Sequence, residues 1–286
     1  MCKDFFVLVL SLIAAIPASA VERPNEFKDL TYLSVDGQDL KLDVYQNPRR
    51  QASPVLLCFH GGAWTTGTRP KDSTSFASFL GLGFSVVSVD YRLSGVATAP
   101  AAVQDARCAV SWTAAHAETY RFDTSRIVVY GTSAGAHLAL MAGLLPSAAG
   151  LDLPQCKDIP TPAAILDFFG PTDLTHPEAE ARTSPGATKW LNVVPGREDI
   201  PRQMSPLTYV RAGVPPVLLI HGDADPTVGH SHSVRMQRAL ADVGVKNRLY
   251  TVPGGQHGRF SEEQKLAVMR AVREFLLDVG VIGKEK

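Results

Sequence analysis

The stretch Ile127-Val128-Val129-Tyr130 followed by Gly131-Thr132-Ser133-Ala134-Gly135 decides the fold. An apolar run of four suits a strand buried on both faces, and His137 to Leu145 beyond it has helical spacing. A serine between two glycines, where a strand turns sharply into a helix, sits in a strained backbone that tolerates only small neighbours two positions away. Gly131, Ala134 and Gly135 meet that demand, and the helix start directs free N–H groups toward the serine. Ser133 is therefore a candidate nucleophile.

Further apolar runs lie on either side of this unit, at Val55 to Phe59, Phe84 to Val89, Ala163 to Phe169, Val217 to Ile220 and Leu249 to Val252. Helical spacing separates them at Ala101 to His116, Ser233 to Val243 and Ser261 to Val279. The last of these opens with Ser261 and Gln264 at capping-box spacing. Before the first buried run, Thr31 to Val35 and Leu40 to Tyr45 alternate around Asp36-Gly37, as in a hairpin. The alternation predicts an α/β fold: a mostly parallel central sheet with an N-terminal antiparallel hairpin and helices on both faces.

Three more constellations follow strands. His60-Gly61-Gly62-Ala63-Trp64 succeeds Val55 to Phe59, and its glycines leave backbone N–H groups open to an approaching oxygen. Gly62 and Ala63, with Ala134, are the candidate amides for holding an oxyanion, and Trp64 is the candidate substrate contact. His221-Gly222-Asp223-Ala224-Asp225-Pro226 succeeds Val217 to Ile220 and places two carboxylates at the ligand-binding edge of such a sheet. Pro253-Gly254-Gly255-Gln256-His257-Gly258 succeeds Leu249 to Val252 and carries a histidine on a glycine-rich loop. Asp223 and Asp225 compete to orient His257. Asp225 is preferred because the turn must carry the acid out toward the histidine loop. Chain order Ser133, Asp225, His257 is the order that a strand–turn–helix nucleophile uses.

Together with Val89-Asp90-Tyr91-Arg92-Leu93 and Phe169-Gly170-Pro171-Thr172-Asp173, these stretches resemble α/β-hydrolase carboxylesterases of the kind grouped with bacterial acetyl, xylan and feruloyl esterases, the BD-FAE type. The resemblance runs from residue 21 to the end. It also favours Asp225 as the acid. It implies hydrolysis of small or carbohydrate-linked carboxylic esters through an acyl-enzyme, with no cofactor and no metal. An amidase, an arylformamidase or a peptidase would use the same three side chains, and a silent binding protein on this fold would lack one of them. Ala63-Trp64 departs from the third glycine and small residue of lipase-type loops, and Gly229 stands where many relatives have proline.

Other features bound the setting. The 286 residues carry 28 Lys plus Arg against 28 Asp plus Glu, which gives no bulk electrostatic reason to expect nucleic acid or an anionic membrane as partner. Residues 1–20, with an apolar run from Phe5 to Ile16 and Ala18-Ser19-Ala20, read as a signal peptide cleaved before Val21. That reading implies a secreted or periplasmic protein without stable membrane insertion. Export would leave Cys58, Cys108 and Cys156, with Cys58 inside a strand and Cys108 and Cys156 as candidates for one disulfide. The interval 170–213, with six prolines and a short helix expected near Thr188 to Val194, is an excursion between strands placed to cap the site. His137 is expected to be a packed structural histidine, Asp90 and Arg92 to pair near the sheet edge, and Asp173 to cap a turn.

Overall fold

The computed structural model describes residues 23–49, 51–175 and 184–283; the expected signal peptide and residues 176–183 of the excursion lie outside them. Eight strands form one sheet: β1 (Asn25–Val35), β2 (Gln38–Gln46), β3 (Ser53–Phe59), β4 (Ser85–Val89), β5 (Phe122–Thr132), β6 (Ala164–Phe168), β7 (Val217–Gly222) and β8 (Asn247–Val252). Their order across the sheet is β1-β2-β4-β3-β5-β6-β7-β8. The hairpin β1–β2 is antiparallel and β2 meets β4 antiparallel, while every neighbour from β4 to β8 runs parallel. The expected α/β-hydrolase architecture is thus present.

Period-two alternation assigns the strand side chains to two cores. Val55, Leu57 and Phe59 of β3 join Ile127 and Val129 of β5 on one face. Leu56 and Cys58 join Val128, Leu166 and Ile220 on the other. The first face is covered by α1 (Ala101–Ala115), α2 (Ala134–Leu144) and α4 (Ser231–Asp242); the second is covered by α5 (Glu262–Asp278), which buries Val268, Val272, Phe275 and Leu276. Helix α5 begins with the expected capping box between Ser261 and Gln264. Apolar burial on both faces explains why these strands read as continuous hydrophobic runs.

Within the excursion, α3 spans Pro185–Leu191, a turn earlier than expected. Ser184 accepts from the Ala187 N–H, Pro185 supplies a preset first residue, and Asn192 stops the helix in the left-handed region at φ 47°. Met204 and Ser205 further along the excursion hold it down: the Met204 carbonyl lies 2.7 Å from His137 Nε2, and Leu174 N–H donates to Ser205 Oγ at 2.7 Å.

Cys108 on α1 and Cys156 form a disulfide across 48 residues, and Cys58 is a buried free thiol. Closing a loop of 48 residues removes denatured-state entropy worth about 3–4 kcal/mol in the chain-entropy view. Cys108→Ser should therefore lower the urea midpoint, and adding reductant should bring the unmodified protein to the same value. Equal midpoints with and without the bond would contradict a stabilising role.

Candidate active site

Beyond β5 the chain turns at Ser133 with φ 54° and ψ −121°, a conformation that costs on the order of 1–3 kcal/mol for a side-chain-bearing residue. Its surroundings hold that strain. Ser133 N–H donates to the Phe168 carbonyl at 2.9 Å. A Cβ on Gly131 would lie 2.2 Å from the Gly135 carbonyl carbon, and one on Gly135 would lie 2.1 Å from the Phe59 carbonyl oxygen. The two glycines are thus fixed by close backbone approach, as the sequence required.

The other two relay residues arrive from β7 and β8 through loops bound to each other. Ala224 N–H donates to Gly255 O at 3.0 Å, and Gly254 N–H donates to Asp223 at 2.6 Å. Asp223 is therefore spent on the histidine loop, which leaves Asp225 facing the imidazole. Asp225 Oδ2 lies 2.7 Å from His257 Nδ1, and His257 Nε2 lies 2.8 Å from Ser133 Oγ. The edge of Phe169 packs on His257, with ring centroids 4.7 Å apart.

Burial of Asp225 opposes its ionisation, but hydrogen bonding from His221 and His257 and from the Val228 and Thr227 amides outweighs it. Its carboxyl is held well below the usual carboxylate range. An ionised acid beside Nδ1 keeps that nitrogen protonated and leaves Nε2 free to accept the serine proton.

The His60–Trp64 loop sits beside the nucleophile: a Cβ on Gly61 would fall 3.5 Å from Ser133 Cβ. Gly62, Ala63 and Trp64 take φ of 122°, 51° and 58° in succession. Both Thr65 and Thr66 N–H groups turn back onto Gly62 O. Among the described residues, the N–H groups of Gly62, Ala63 and Ala134 have no protein acceptor. His60 stacks on Tyr91 with centroids 4.3 Å apart, and Tyr91 donates to the His60 carbonyl at 2.8 Å. The role of Tyr91 is not visible in the Val89 to Leu93 stretch alone.

Trp64 is not where a substrate contact belongs. It is 2% exposed and stacks on Trp190 of α3 with centroids 4.4 Å apart, with the His137 ring meeting its edge at 5.0 Å. Trp64 instead fastens the loop to the excursion through this stack on Trp190. A Cβ on Gly186 would lie 2.6 Å from that of Ala63, so α3 rests directly on the loop. His137 is the packed histidine expected, and burial lowers its pKa to about 4 against the raising effect of the Met204 carbonyl.

The expected Asp90–Arg92 pair is not formed. Asp90 pairs with Arg69, and Arg92 reaches Asp105 of α1 at 2.7 Å. Asp90 accepts from the Arg69 backbone N–H as well as from its guanidinium, and Arg92 is drawn to the buried Asp105, so tertiary partners take both groups. Asp173 does cap a turn, accepting from Thr175 N–H at 2.9 Å.

Asp167, on β6 next to the elbow strand, was not singled out by its sequence context. It accepts from Gly170 N–H at 2.8 Å, and its second oxygen has no partner among the described residues. Burial raises its pKa to about 7, opposed by His221 and the Gly170 amide. The unfolded chain ionises this group at an ordinary carboxylate value, so the folded protein holds an extra proton from about pH 4 up to about 7. Stability is lost as pH rises through that window. Asp167→Asn removes the loss: the variant should be the more stable protein at pH 8, by a few kcal/mol at most, with the gap closing as pH falls toward 4. Urea midpoints at several pH values read this directly, and a pH-independent gap would contradict it.

The BD-FAE family matches residues 42–240, which include the His60–Trp64 loop, Ser133 and Asp225, with His257 beyond. The esterase LipQ of Mycobacterium tuberculosis is 30% identical over 251 residues that cover 84% of this chain and 59% of LipQ. The chain thus spans less than two thirds of that relative. Thermogutta terrifontis esterase 2, in a structure phosphorylated by paraoxon, superposes with a TM-score of 0.76 at 25% identity and covers 93% of this chain and 97% of its own. A truncated carbohydrate esterase from gut microbiota gives a TM-score of 0.74 at 25% identity, over 90% of this chain and 98% of its own. With the family match running through most of the sheet and carrying both the serine turn and the acid turn, this chain belongs to the BD-FAE family.

Proposed function

We propose that the protein is a serine carboxylesterase that hydrolyses small or carbohydrate-linked esters, of acetyl or feruloyl type, through an acyl-enzyme. One observation carries the reading: Ser133 Oγ, His257 and Asp225 form an unbroken relay of 2.8 and 2.7 Å contacts beside three amides without a protein acceptor among the described residues. His257 takes the Ser133 proton as the oxygen attacks the ester carbonyl, and Asp225 stabilises the imidazolium. The Gly62, Ala63 and Ala134 amides receive the developing negative oxygen, a contribution of about 3 kcal/mol per donor in comparable sites. His257 returns its proton to the departing alcohol. It then activates water to release the acid and free Ser133.

The esterase names of the relatives and the paraoxon-phosphorylated neighbour support ester chemistry at this serine, and the gut carbohydrate esterase supports a sugar-borne ester as substrate. The packing of α3 on Ala63 supports a role for the excursion as a cap that shapes the acyl pocket. The Cys108–Cys156 bond fits an exported protein, in line with the signal-like residues 1–20. The test is a panel of acetyl, butyryl and feruloyl esters, p-nitrophenyl-linked and sugar-linked, with matched anilides. Highest kcat/KM on an acetyl or feruloyl ester is expected. Anilides cleaved faster than every ester would replace this reading with an amidase.

A further inference from the structure

Two histidines meet the same oxygen of Asp225. His257 Nδ1 lies 2.7 Å from Oδ2 on the solvent side, and His221 Nε2 lies 3.3 Å from that oxygen on the buried side. His221 belongs to β7 and is fully buried. Its Nε2 is also 2.8 Å from the Val228 carbonyl, and its Nδ1 is 2.7 Å from Ser233 Oγ on α4. A carbonyl only accepts, so Nε2 carries the proton, and in the neutral imidazole Nδ1 then accepts from the Ser233 hydroxyl. The Nε2–H is thereby directed between Val228 O and Asp225 Oδ2. The other Asp225 oxygen accepts from the Thr227 and Val228 amides at 2.8 and 3.0 Å.

We propose that His221, fixed by Ser233, is a positioning residue for the relay: its N–H orients Asp225 and withdraws charge from the oxygen that faces His257, which sets the pH at which His257 becomes a base. The inference rests on the esterase reading only for its consequence in turnover. A carboxylate that shares its charge with a second donor stabilises the His257 imidazolium less than a carboxylate facing one donor alone. His221 therefore lowers the titration midpoint of His257 and widens the pH range over which His257 is free to accept the serine proton.

Other titratable groups surround the pair. Asp167 of β6 acts on His221 from the neighbouring strand. His230 meets the His221 ring edge-on at 5.6 Å, and its pKa is lowered mainly by burial and then by His221, with Asp223 opposing. His232 is lowered to about 4 by burial, then Arg235, with Asp173 opposing. Of these, Asp167 is the group whose own titration falls near that of a histidine.

The experiment follows the His257 imidazole by NMR titration of the full chain, which needs no substrate, alongside the acidic limb of kcat/KM. His221→Leu should raise the His257 midpoint by about half to one pH unit, and the kcat/KM limb should move with it. His221→Gln, whose amide N–H falls close to the place of Nε2–H, should restore the original midpoint. Both are repeated with Asp167→Asn, so that Asp167 does not supply the shift. A folded Leu variant with an unmoved or lowered midpoint overturns the proposal, and so does a Gln variant that shifts as far as Leu.

If the Leu variant does not fold, the nitrogen shifts of His221 in the unmodified protein decide. A protonated Nε2 with an accepting Nδ1, lost in Ser233→Ala, supports the proposal, and a protonated Nδ1 overturns it. Absence of ester turnover in the unmodified protein would sink the esterase reading while leaving the NMR result to stand or fall alone.

Discussion

Turnover of p-nitrophenyl acetate by Ser133→Ala should fall by roughly 10⁴- to 10⁶-fold, while the folded state survives. The large loss follows from the geometry: His257 Nε2 has Ser133 Oγ as its 2.8 Å partner, and no other hydroxyl or thiol is bound to that nitrogen among the described residues. Folding should survive because the strained turn is held by contacts that Ala keeps. The Phe168 carbonyl still receives the backbone N–H, and Gly131 and Gly135 still allow the close packing. Circular dichroism and a thermal midpoint close to the parent would separate lost chemistry from lost structure. Near-normal turnover in the folded variant would remove Ser133 from the mechanism.

Asp225→Asn should cost about 10⁴-fold in kcat at neutral pH with little change in KM. The amide fills the same space, and its oxygen continues to accept from the Thr227 and Val228 N–H groups. What changes is the group facing Nδ1. An amide N–H there demands a lone pair from Nδ1, so the imidazole proton moves to Nε2 and points at Ser133. His257 then has nothing with which to accept the serine proton. A loss of less than tenfold would indicate that Asp225 only spaces the loop, and that Asp223 or the oxyanion amides carry more of the chemistry.

How much of this was legible in the sequence depended on whether a feature is set locally. Buried strands announced themselves as apolar runs because both faces of the sheet are covered, and β3 and β7 begin and end near the expected residues. Strand β5 runs from Phe122, well before the apolar Ile127, because the buried Phe122 already pairs with Ser53 and the polar residues between them lie at a shift of register. The order that puts β4 between β2 and β3 is a property of pairing across the sheet, which no local pattern encodes.

The same division holds at the site. The serine turn, the glycine loop, the acid turn and the histidine loop could be placed because each follows a strand, and the structure brings Ser133, Asp225 and His257 into contact. Trp64 was misjudged because its burial depends on Trp190, 126 positions further along in the excursion. Asp90 and Arg92 were misjudged for the same reason, since Arg69 and Asp105 meet them through tertiary packing. His221 stood in plain view in His221-Gly222-Asp223-Ala224-Asp225. A histidine ending a buried strand, four residues before the acid, was the available signal, because a buried imidazole must find partners for both nitrogens.

Covalent labelling of the full chain with a fluorophosphonate, followed by peptide mass mapping, reads the Ser133–His257–Asp225 relay directly. One label on Ser133 is expected, formed fastest above the His257 titration and lost in His257→Ala. A folded protein that takes no label, or takes it on another residue, would contradict the relay on which the proposed chemistry depends.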